Sequence, residues 1–148
     1  DLKISNDTSQ ESVEKYAEEM KKLFVDEKHI LFNGTDIFNV LLKNIKEENV
    51  KNIELSIQAL NYYSSWNEKL AKTILAFTVP ENLSKSHLEA VNGFNNLKFA
   101  LENMAIAEID PIKAMIGQKL YDEQTLRIYN ALKDIQEIFN KYEITVFK

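Results

Sequence analysis

Two histidines and a few hydroxyls carry most of the chemistry this chain could perform. His87 follows Ser84 by three residues in "NLSKSHLEAVNGFNNL", Asn82 to Leu97. On a helix that spacing brings a hydroxyl and an imidazole within one turn of each other. A working triad also needs an orienting acid and oxyanion donors, and the sequence nominates neither, so Ser84 is read first as a helix-cap residue. The other histidine lies in Asp26-x-x-His29. Di-metal bundles use two Glu-x-x-His pairs and two further glutamates. A single Asp variant falls short of that set, and His29 is expected on the surface near the negative end of a helix. The chain contains no HExxH, EF-hand loop, G-x-S-x-G, P-loop or G-x-G-x-x-G pattern. It has no cysteine, which removes thiolate catalysis, zinc ribbons and disulfides. No catalytic residue, metal-ligand set or cofactor is therefore expected.

At about 100° per residue, His87 falls beside Leu83, Val91, Phe94, Leu97 and Leu101 on one face, while Asn92, Asn96 and Asn103 fall on the other. His87 is expected to be a neutral core histidine, one ring nitrogen bonded to a carbonyl or a side chain. The alternative is a small-ligand pocket between helices, lined by His87 and core tyrosines. In the aromatic run "NYYSSW", Asn61 to Trp66, rings could stack on sugars or bases. Tyr63 and Trp66 nevertheless share the apolar stripe of their helix, which predicts core packing with polar tips near the surface, and leaves Tyr62 outside. His87, Ser84 and Tyr63 are thus the candidate residues for a ligand site or a buried polar site.

These positions depend on helices. "TSQE" at Thr8–Glu11 has the form of a capping box, and Val13, Tyr16, Ala17, Met20, Leu23, Phe24 and Ile30 recur at steps of three and four thereafter. This first helix is expected to end at Asn33–Gly34, with glycine in a left-handed cap. Thr35 or Asp36 would cap a shorter helix faced by Ile37, Val40, Leu41 and Ile45. A third helix, about Glu47 to Phe77, carries Val50, Ile53, Ile57, Leu60, Tyr63, Trp66, Leu70, Thr73 and Phe77. "TVPEN" breaks it, because the residue before proline is pushed out of helical geometry. A fourth helix starts between Asn82 and Ser84 and runs to about Glu108, with Gly93 at the edge of its stripe, where a close-packed neighbour would offset the cost of a mid-helix glycine. Asp110–Pro111 caps and restarts the chain for a fifth helix to about Tyr142. The apolar face changes from Ile112, Met115, Ile116 and Leu120 to Tyr121, Thr125, Ile128, Leu132, Ile135, Phe139 and Tyr142, which predicts a bend or break near Gly117–Asp122. Residues 1–7 are expected to be an extended lead-in and 143–148 an extended tail.

The 148 residues, 45% hydrophobic and 28% charged, suit a single globular domain of residues 1–148. Three glycines and two prolines are too few for the turns of a sheet protein. The fold class expected is an all-α, antiparallel bundle of about five helices, three of them long. With a net charge of −5 and Arg127 as the sole arginine, the surface is a poor match for nucleic acid. No apolar run is long enough for a membrane span. The chain begins with Asp1 instead of methionine, which is expected of a trimmed or processed product.

Three segments, "DLKISNDTSQESVEKYAEEM", "VPENLSKSHLEAVNGF" and "IDPIKAMIGQKLYDE", together resemble a family of uncharacterised helical proteins of bacteria with reduced genomes. Val79, Pro80, His87, Leu88, Asn92, Asp110, Pro111 and Tyr121 carry the resemblance. Glu143 departs from it, standing where a glycine would follow the tyrosine. The resemblance implies an exported, cell-surface or membrane-anchored chain with its N-terminal signal or anchor removed. The alternative is a cytoplasmic one. Together with the missing catalytic constellation, it leads to the expectation of a non-enzymatic, extracellular or cell-envelope domain that binds another envelope protein or supports an assembly. A ligand-binding bundle with a pocket near His87 is the alternative.

Overall fold

The computed structural model describes residues 2–26 and 33–146. Among them are five α-helices, α1 (Gln10–Asp26), α2 (Gly34–Lys46), α3 (Val50–Leu75), α4 (Ser84–Ala105) and α5 (Pro111–Asn140). The last three are long, at 26, 22 and 30 residues, and the fold is an all-α helical bundle. The expected lead-in does more than extend. Strand β1 (Lys3–Ser5) pairs in parallel with β2 (Thr78–Pro80), setting Ile4 opposite Val79. Val79 precedes a proline and so favours extended backbone, which turns the break after α3 into a strand.

Several boundaries differ from the sequence expectation by a residue or two. The cap of α1 is Ser9 instead of Thr8: its carbonyl accepts from Val13 N–H, and its hydroxyl accepts from Ser12 N–H. Asn33, and neither Thr35 nor Asp36, caps α2 by accepting from the Asp36 amide. Gly34 is not a left-handed cap, since no described glycine has a positive φ. It is required by close approach instead. Its N–H donates to the Tyr121 hydroxyl at 2.9 Å, and a Cβ there would stand 2.6 Å from the Tyr121 ring. Asn33–Gly34, the expected end of the first helix, thus opens α2, while His29 and Ile30 lie outside the described residues.

Contacts divide the chain into two compact units, and α3, α4 and α5 each contribute a segment to both. The first unit comprises Asp1–Phe32, Ala71–Asn92 and Arg127–Lys148. Its interior holds Val13, Tyr16 and Met20 of α1, Ile74 of α3, Val79 of β2, Leu83, His87 of α4, and Ile135 and Phe139 of α5, all buried. Arg127 pairs with Glu89, tying α5 to α4. Gln136 holds the tail at two points, donating to the Ile144 carbonyl and accepting from Val146 N–H. The turn after α5 places Glu143 at φ 58, in the left-handed region that glycine adopts most easily.

The second unit comprises Asn33–Leu70 and Gly93–Leu126. Of the bend or break expected near Gly117–Asp122, the break is absent: α5 runs unbroken from Pro111 to Asn140. The inward positions are Ala114, Gly117 and Tyr121, while Ile112, Met115 and Ile116 point to solvent. Small residues line the contact because α4 lies so close. A Cβ on Gly117 would be 2.7 Å from Asn103 Cβ and 2.8 Å from the Ala100 carbonyl oxygen. The asparagine face of α4 is accordingly not free: Asn92, Asn96 and Asn103 are half-buried, and Asn96 donates to Gln124 of α5. The inward line of α3 is also shifted. Ser56, Leu60, Ser64 and Asn67 are buried, whereas Tyr63 and Trp66, expected to pack inward with their polar tips near the surface, are half-buried. The buried polar side chains are accommodated by local bonds, Ser56 Oγ to the Asn52 carbonyl and Asn67 Nδ2 to the Tyr63 carbonyl, each one turn back. Ser64 Oγ instead reaches Glu102 of α4.

Candidate functional site

Of the three candidate residues, Ser84 and His87 belong to the first unit and Tyr63 to the second. Ser84 opens α4, and its hydroxyl donates to the Glu81 carbonyl at 2.7 Å, closing the 3₁₀ turn that precedes the helix. That bond engages the hydroxyl with the turn before α4, whereas a capping hydroxyl would accept from an amide of the helix itself. Tyr63 belongs to the second unit, where its ring meets Tyr62 edge-on at 5.1 Å. Only His87 sits in a buried polar arrangement. Its residue is 1% exposed, and its Nδ1 lies 2.8 Å from the hydroxyl of Tyr16, 71 residues earlier.

Helix periodicity accounts for both partners. Tyr16 lies on the α1 stripe between Val13 and Met20, and His87 lies on the α4 stripe between Leu83 and Val91. Phe77 and Phe139 complete the surroundings of Tyr16, with ring centroids at 6.3 Å and 6.0 Å. The result is one hydrogen bond enclosed by aromatic rings. Burial drives both groups toward their neutral forms. The His87 pKa falls to about 4 for that reason alone, and the Tyr16 phenol is pushed well above its ordinary range, by burial first and by the Glu19 charge second. Both are therefore neutral at pH 7. His87 Nε2 has no hydrogen-bond partner among the described residues, a cost on the order of 1–3 kcal/mol.

General acid–base work requires a group that titrates near the operating pH and reaches a substrate proton. His87 titrates well below neutrality and is enclosed. Tyr16 was visible in the sequence as a stripe residue, but nothing in local spacing marks it as the histidine's partner. Among the described residues no three of His, Cys, Asp and Glu gather where they could hold a metal ion. Nor is any described helix long and apolar enough to cross a membrane.

A second feature lies on the surface. Scattered exposed apolar residues are ordinary, but on α5 they line up. Ile112, Met115, Ile116, Leu126 and Tyr129 are between 60% and 76% exposed. Ile109, in the turn before the helix, is exposed too. Between the two apolar groups stand Lys119, Asp122 and Glu123. Lys119 and Glu123 form an exposed pair at 3.9 Å, and Asp122 Oδ1 accepts from the Thr35 hydroxyl at 3.3 Å. Burying such side chains against a partner is worth about 1.5–3 kcal/mol for each large one fully covered, before the costs of association. No family model, curated protein or solved structure matches the chain.

Proposed function

We propose that this chain is a non-enzymatic helical domain that docks a protein through the solvent face of α5. The observation that carries this reading is the pair of large apolar groups on α5, Ile112, Met115 and Ile116 and then Leu126 and Tyr129, turned outward, while Ala114 and Gly117 face inward beside the first group. A helix that needed only to cover the core would present polar residues outside. Large exposed apolar groups gathered on one helix face and rimmed by charges are characteristic of interaction sites. The enclosed Tyr16–His87 pair is assigned a structural role: it joins α1 to α4 through one specific bond inside an apolar core. The family resemblance supports a cell-envelope setting for the partner.

A photo-crosslinking amino acid at Met115, introduced into the chain in the cells that make it, tests the proposal. Illumination is expected to yield a discrete protein–protein adduct. The same probe at Lys51, an exposed position on α3, should yield none. Equal yields from the two positions, or no adduct from Met115, would sink the docking role.

A further inference from the structure

We infer that the partner of the α5 face is the same face of a second copy of this chain, laid antiparallel about a two-fold axis. The inference rests on the docking role above and names its partner. Along α5 the outward positions at alternating steps of three and four are Ile112, Met115, Lys119, Asp122, Leu126 and Tyr129, every one exposed. That spacing is a heptad seam directed at solvent. Its order is apolar, apolar, positive, negative, apolar, apolar.

An isologous interface requires a surface complementary to itself, and this order has that property in one alignment. With the axis midway between Lys119 and Asp122, Ile112 meets Tyr129 of the second copy, Met115 meets Leu126, and Lys119 meets Asp122, each contact occurring twice. Other alignments are penalised. Parallel pairing sets Lys119 on Lys119 and Asp122 on Asp122. Sliding the antiparallel pair by one heptad sets Lys119 on Tyr129 and Asp122 on Leu126, leaving charges against apolar groups. Charge thus selects direction and alignment, which is its best-attested role in interfaces. The present partners of the two charged groups leave them free to pair. The Lys119–Glu123 contact is long and exposed, so it is worth little, and Asp122 keeps its second carboxylate oxygen for the incoming ammonium. One helix crossing its copy falls at the small end of specific interfaces, below about 1,200 Å² in total, so the dimer is weak, with a Kd of roughly micromolar order.

Sedimentation of the 148-residue chain between about 1 µM and about 1 mM tests this. The chain should pass from monomer to dimer over that range. Lys119→Glu or Asp122→Lys alone should weaken the dimer about tenfold or more, because each creates like-charge contacts, and the two together should restore it. A chain that stays monomeric, or a double variant no better than the singles, overturns the inference. Thermal melts verify that each variant is folded. A second test is independent of charge. The chain has no cysteine, so Met115→Cys combined with Leu126→Cys should oxidise to a covalent dimer. Neither single variant should, because like positions lie about 16 Å apart along the pair. Efficient linkage through Met115→Cys alone would mean parallel pairing and contradict the alignment. If the chain is monomeric yet the Met115 photoprobe captures a different protein, self-pairing fails while the docking role stands. If neither dimer nor adduct forms, both fail.

Discussion

Replacing Gly117 by alanine is expected to destabilise the fold by roughly 2 kcal/mol, against the sign that helix propensity predicts. In an unconstrained helix interior, glycine to alanine is favourable by about 1 kcal/mol. Here the added methyl would stand 2.7 Å from Asn103 Cβ, 2.8 Å from the Ala100 carbonyl oxygen and 3.0 Å from the Met104 nitrogen. Two of those three atoms are main chain of α4, which no rotamer change can move. Separating the helices costs packing along the whole contact, and overpacking of this kind costs about 1–3 kcal/mol, occasionally more. The balance falls on the destabilising side, with a drop in melting temperature of about 4–8 °C for a domain of this size. Urea unfolding monitored by circular dichroism checks the sign. A Gly117→Ala variant more stable than the parent would mean that α4 and α5 are not in backbone contact there.

Lowering the pH from 7 to 4.5 is expected to cost the parent chain about 2 kcal/mol more than it costs a His87→Gln variant. The folded chain holds His87 neutral down to about pH 4, whereas in the unfolded chain it takes up a proton near pH 6.5. Between those values the unfolded state binds the extra proton, so the stability of the folded state rises with pH. It is fully present above the unfolded pKa and is lost as pH falls toward the folded one. Glutamine retains a polar group for the Tyr16 hydroxyl and does not titrate, so carboxylate effects common to both chains cancel in the comparison. Denaturant midpoints at the two pH values supply the measurement. Parallel pH profiles would show that His87 is not enclosed as a neutral imidazole.

The helices were legible because apolar steps of three and four persist through each of them, and the restart at Asp110–Pro111 is local punctuation that tertiary packing does not override. The angular position of His87 followed from the same periodicity, because Leu83, Phe94 and Leu101 fix which face of α4 is inside. The inward faces of α5 and α3 were not legible for one physical reason: side-chain size is a poor proxy for burial where helices approach closely. On α5 the apolar face of Ile112, Met115, Ile116 and Leu120 differs from the face that follows, and that change predicts a bend or break. The helix is unbroken through that region, and Ala114 and Gly117 permit an approach to α4 that larger groups would prevent. On α3 Tyr63 and Trp66 drew attention from Ser64 and Asn67, whose small polar side chains are buried because each finds a bond, to Glu102 and to the Tyr63 carbonyl. The partnership of Tyr16 with His87 spans 71 positions, and local spacing carries no record of it. The proposed docking role uses the outward position of Ile112, Met115 and Ile116.

The docking role stands or falls on whether that face is covered in the cell. Single cysteines placed at Met115 and, as a control, at Lys51 of this cysteine-free chain allow the rate of thiol labelling to be compared between dilute purified protein and the cells that make it. The account predicts that Met115→Cys is labelled several-fold more slowly in cells than in dilute solution, while Lys51→Cys reacts at one rate in both, after correction for reagent access. Equal protection ratios at the two positions would contradict it.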